Sequence, residues 1–83
     1  MNIHVPSAVV VQADRATQDI REGLAFFSLA KTQRVIAGQY RIWAREAEAT
    51  GKLEQYRQYA KEARRTFRAA KWHLQKAKDR LHG

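Results

Sequence analysis

Residues 53–81 read LEQYRQYAKEARRTFRAAKWHLQKAKDRL. Within this stretch Leu53, Tyr56, Ala60, Ala63, Phe67, Ala70, Leu74, Ala77 and Leu81 follow one another at alternating steps of three and four. That is an unbroken heptad seam, the pattern of a helix that lays one narrow apolar stripe along a partner helix. The residues around it are mostly Ala, Arg, Lys, Gln and Glu, which lose little side-chain freedom in a helix. No Asn-Gly or Asp-Gly dipeptide occurs anywhere in the chain, and no alternating apolar run argues for a strand.

Upstream the same steps recur at Phe26, Leu29, Gln33, Ile36, Tyr40, Trp43 and Ala47, with Gln33 the one polar member. Thr50-Gly51 separates the two stretches, and Gly is favoured just past a helix end. Folding the chain back there sets Trp43 opposite Ala60, Tyr40 opposite Ala63 and Ile36 opposite Phe67. It also sets Gln33 opposite Ala70, Leu29 opposite Leu74 and Phe26 opposite Ala77. Large residues mostly meet small ones, as interdigitating layers require. The spacing therefore predicts an all-α fold, an antiparallel two-helix hairpin resembling a coiled coil. The first helix covers about 14–49, the turn 50–52 and the second helix 53–82. The competing arrangement is one continuous helix, since a single Gly costs only about 1 kcal/mol in a helix interior.

Residues 1–13 read as an N-terminal arm. Val9, Val10 and Val11 are β-branched and weaken helix propensity. Asp14 or Thr17 is placed to cap the first helix, while a cap at Ser7 would lengthen it. The apolar Ile3, Val5 and Val9 to Val11 suggest that the arm docks on something.

With 83 residues there is room for one small domain. Cysteine is absent, which removes disulfides and thiolate metal sites. A chain this short ordinarily needs a further source of stability. The first helix offers one. Ile20, Leu24, Phe27, Val35 and Ile42 lie off the seam, and a small-residue stripe of Gly23, Ala30, Ala37 and Ala44 runs beside it at steps of seven. Large exposed apolar patches usually mark contacts. A homodimeric helical bundle is expected, with Ile20, Leu24, Phe27, Val35 and Ile42 as its interface.

The formal charge is +8, and it is unevenly placed. Residues 1–51 hold six basic residues against five acidic ones, whereas residues 52–83 hold ten against three. Arg57, Lys61, Arg64, Arg68, Lys71 and Lys78 each follow a seam residue by one position, and Arg65 and Lys76 widen that row. A charged flank is ordinary for a coiled coil, but such flanks mix signs, and this one contains no acid. A straight cationic row matches the footprint of a phosphate backbone. Trp72 occupies the outward position of the second helix, able to stack on a base or anchor an interface. Tyr59 and His73 fall on the flank away from the cations.

Other chemistry has little to work with. His4, His73 and His82 share no helical face, Glu46 and Glu48 point to different sides of a helix, and no phosphate loop or nucleophile motif is present. No enzyme activity, metal, cofactor or small-molecule substrate is expected. No apolar run approaches the roughly 18 residues of a membrane span. The opening Met1-Asn2-Ile3-His4-Val5-Pro6 lacks the basic region of a secretory signal, so a cytoplasmic location is expected.

Two functions fit. The first is a small non-enzymatic protein that engages nucleic-acid backbone through Arg57, Lys61, Arg64, Arg65, Arg68, Lys71, Trp72 and Lys78. The second is a phage- or mobile-element-type inhibitor or adaptor. The same residues would then meet an acidic surface of a host protein, a nucleic-acid-processing enzyme being one such target. A hairpin that dimerises is similar to small helical regulators of plasmids and phages, a likeness of architecture that does not carry function.

Overall fold

The computed structural model describes residues 7–82, with side chains from residue 14 to residue 82. Two helices, α1 (Ser7–Ala49) and α2 (Leu53–His82), fold back on each other as an antiparallel hairpin. At 43 and 30 residues they are unequal, and the molecule is a rod of 75 × 20 × 15 Å.

The turn is made by the backbone of Thr50, Gly51 and Lys52. Gly51 N–H donates to Glu48 O at 3.1 Å, and Lys52 N–H donates to Ala47 O at 2.8 Å. These two bonds form a Schellman motif, which satisfies carbonyls that the helix end would leave open. The motif needs a left-handed residue, and Gly51 supplies it with φ at +73°. Thr50 adds a side-chain bond, its Oγ1 donating to Glu46 O at 2.9 Å. Lys52 O then accepts the first bond of α2, from Tyr56 N at 2.9 Å.

At its other end α1 begins at Ser7 and not near residue 14. Residues 7–13, expected as part of the arm, continue the helix, while residues 1–6 of the arm lie outside the described residues. The three valines each cost only about half a kcal/mol of propensity. A helix already formed extends by one hydrogen bond for each residue it fixes.

The core is made of small residues. The buried apolar side chains are Ala30, Ala37, Ala44 and Ala47 of α1 and Ala63, Ala70 and Ala77 of α2. Gly23 is buried with them. On each helix most of these recur at steps of seven, so alanine lies against alanine down the axis. The second helix uses the middle of the seam its spacing indicates, from Tyr56 to Ala77, while the end members Leu53 and Leu81 are exposed. On α1 the seam differs from the expected one. Gly23, Ala30, Ala37 and Ala44 take the centre beside Phe26, Gln33, Tyr40 and Ala47, while Leu29, Ile36 and Trp43 remain 42, 43 and 42% exposed. The expected pairs change accordingly: Gln33 bonds to His73, Phe26 packs on Trp72 and His73, and Trp43 packs on Tyr59. The physical reason is backbone approach. Small residues on both helices let the axes come close, and bulky rings move to the flanks. At the open end a β-carbon on Gly23 would lie 2.7 Å from Leu81 Cγ, so this glycine makes room for the last turn of α2.

Candidate nucleic-acid interface

The register just described sorts the side chains into two flanks. One flank is aromatic. Tyr40, Trp43 and Tyr59 form a cluster with centroids 5.7 to 6.4 Å apart. Farther along, Phe26 stacks on His73 at 5.9 Å, and His73 Nδ1–H donates to Gln33 Oε1 at 2.7 Å. Gln33, the polar interruption of the expected seam, thus has a partner from the opposite helix.

The other flank is cationic, and both helices build it. Arg41 and Arg45 of α1 face Arg64 and Phe67 of α2 across a groove of about 370 Å³, floored by Ala44, Ala60 and Ala63. The groove continues past Phe67 into a hollow of about 270 Å³ lined by Arg34, Ala70, Lys71 and Leu74. The Arg41 guanidinium lies 5.8 Å from the centre of the Phe67 ring, within the usual range of cation–π attraction.

Of the cations named from the second-helix pattern, Arg57, Lys61, Arg64, Arg65, Arg68, Lys71 and Lys78 are exposed and Lys76 is half-buried. None of them is in an ion pair. Among the described residues, the ion pairs join Arg80 to Asp19 at 3.6 Å and to Glu22 at 3.2 Å, at the open end of the hairpin. The acids are segregated. Glu46, Glu48 and Glu54 sit near the turn, and Asp14, Asp19, Glu22 and Asp79 sit near the open end. Between these ends α1 has Lys31, Arg34, Arg41 and Arg45 and no acid. Over the same length α2 has Arg57, Lys61, Arg64, Arg65, Arg68, Lys71, Lys76 and Lys78 against Glu62 alone. The waist of the rod therefore carries a charge larger than the +8 of the whole chain. From Arg57 to Lys78 it runs about 30 Å at the helical rise.

Arg34, Arg41 and Arg45 are the residues that counting charge by chain segment misses. Arg34 and Arg41 follow Gln33 and Tyr40 by one position, the same offset that picks out the α2 row. Applying that offset to the first helix finds these two, while Arg45 follows Ala44, which the expected seam does not contain.

Trp72 is 56% exposed and stands among cations on the outward side of α2. It is also braced: Phe26 meets it edge-on at 6.3 Å, His73 edge-on at 5.0 Å, and Lys76 Nζ lies 5.1 Å from its ring centre. The five apolar residues expected at an oligomer interface, Ile20, Leu24, Phe27, Val35 and Ile42, are all exposed, between 49 and 71%. Among the described residues no group of three or more His, Cys, Asp or Glu is placed to hold a metal ion. No helix among them is long and apolar enough to cross a membrane.

No protein-family model, curated protein or solved structure matches the chain.

Proposed function

We propose that the chain is a non-enzymatic nucleic-acid-binding protein that grips phosphate backbone with the waist of the hairpin. The observation that carries this reading is the convergence of Arg34, Arg41 and Arg45 of α1 with Arg64 and Lys71 of α2 along one groove, with Arg57, Lys61 and Arg68 exposed beside them on α2 and, among the described residues, no ion pair to any of these cations. An exposed cation held by no acid is free to replace the counterions of a phosphate chain. The row is regular and straight, a pattern that phosphates of any sequence satisfy, so binding is expected to discriminate little between sequences.

Salt titration tests this directly. With about five phosphates contacted, the logarithm of the binding constant should fall with the logarithm of salt at a slope of about −4.5 on duplex DNA. Reversing two charges by Arg64→Glu with Arg68→Glu should lower affinity at least tenfold at low salt, since each removed contact also adds a repulsion. Unchanged binding to both duplex and single strands would sink the proposal.

A second reading has one observation in its favour. The groove and the hollow beyond it are also lined by the apolar, half-buried Ala60, Phe67 and Leu74, and a phosphate backbone makes no use of such a lining. An acidic host protein would use it together with the rim cations. Pull-down from nuclease-treated lysate separates the two, because protein partners retained after nuclease favour the inhibitor or adaptor and their loss favours nucleic acid.

The working form is proposed to be a homodimer. Among the described residues the hairpin buries alanine and glycine but no large apolar side chain, and it leaves Ile20, Leu24, Phe27, Val35 and Ile42 uncovered. Packing these α1 surfaces on a second copy would bury them.

A further inference from the structure

We infer that Trp72 is a base-stacking platform, which makes the protein prefer single-stranded nucleic acid over duplex; this rests on the nucleic-acid reading above. The indole is more than half exposed, so it does not fill the hairpin core. Nor is it loose. Phe26 from α1 and His73 from α2 both meet it edge to face, at interplanar angles of 85° and 87°. Phe26 and His73 are themselves locked together by stacking at 26°, and His73 is tied back to α1 through Gln33. Three side chains from two helices, Phe26, Gln33 and His73, thus hold one aromatic ring at the surface in a set orientation.

Its surroundings say what would use it. Arg68 lies one turn before Trp72, Lys76 one turn after it, and Arg65 one heptad before it, all on the outward side of α2. A second copy of the chain brought onto this surface would oppose the same cations to themselves, which disfavours Trp72 as a dimer contact. A single nucleic-acid strand satisfies both features, with phosphates on the cations and an unstacked base on the indole. A duplex satisfies only the first, because its bases are already stacked inside.

The test compares anisotropy of a labelled oligothymidylate and a labelled duplex of equal length. The wild type should bind the single strand more tightly. Trp72→Leu keeps apolar bulk against Phe26 and His73 but removes the aromatic face. It should weaken single-strand binding about tenfold, within the range for loss of one base–aromatic stack, and leave duplex binding unchanged. Trp72→Phe should recover most of the loss. In a Trp43→Phe background, Trp72 is the sole tryptophan, and its emission should be quenched by oligothymidylate. Circular dichroism establishes that the Leu variant keeps its helix content, and if it does not, the Phe variant and the quenching decide. If Trp72→Leu binds the single strand as the wild type does while Arg64→Glu with Arg68→Glu abolishes binding, the platform is wrong and the backbone reading stands. A Trp72→Leu variant that changes sedimentation and not binding also overturns it, placing the ring between protein chains. If the wild type binds neither nucleic acid, both readings fall together.

Discussion

Gly51 is the residue on which the reversal of the chain turns. Its φ of +73° lies where a β-carbon is crowded by the following carbonyl, so Gly51→Ala should cost about 1–2 kcal/mol. Gly38 provides the contrast. It sits inside α1 with nothing within 4 Å of where a β-carbon would be, and Gly38→Ala should stabilise the fold by about 1 kcal/mol through helix propensity alone. Urea unfolding followed by circular dichroism reads both, with the midpoint moving down for the first and up for the second. The turn is legible from sequence because Thr50-Gly51 is a single strong stop signal between two long helix-favouring stretches. The role of Gly23 is not, since its value depends on how close Leu81 comes from the other helix.

The two helices differ in how plainly they declare their packing. α2 has one apolar stripe in a strongly polar helix, so its buried face follows from spacing alone. α1 is apolar on several sides and has almost no single preferred face. Spacing cannot choose among its stripes, and giving weight to large side chains favours Leu29, Ile36 and Trp43 over the alanines that the hairpin buries. The α2 cations of the candidate site are legible for the same reason as the α2 seam. Arg34 and Arg41 follow from the same offset on the expected first-helix seam, whereas Arg45 follows Ala44 and depends on the α1 register that the structure adopts. The register itself can be checked by substitution. Ala37 has no exposed surface, and Ala37→Leu should destabilise by about 1–3 kcal/mol through overpacking. Ile36→Ala, at a position the large-to-small pairing would put in the core, should cost well below the roughly 2–5 kcal/mol of a core deletion. Equal losses at the two positions would contradict the alanine seam.

For the whole molecule, the thin core and the uncovered side of α1 point the same way. Among the described residues the two closely approaching helices fully enclose no bulky side chain, and a second chain is the proposed source of further hydrophobic burial. Sedimentation equilibrium at micromolar concentration should return twice the 9.6 kDa chain mass. Phe27→Asp with Ile42→Asp should return the single mass, because two carboxylates would be desolvated at the interface. A strict monomer for the native chain would remove the dimer and leave the cationic waist untouched. The confinement of positive charge to that waist also governs crowding along a lattice of anionic sites. Adjacent rods on one strand would meet through ends where Glu46, Glu48 and Glu54, or Asp14, Asp19, Glu22 and Asp79, outnumber the neighbouring cations. Each bound molecule therefore gives the next no electrostatic welcome. Occupancy of a long strand should rise with a Hill slope of about one, each molecule claiming its own stretch independently, unlike the cooperative coating common among single-strand binders.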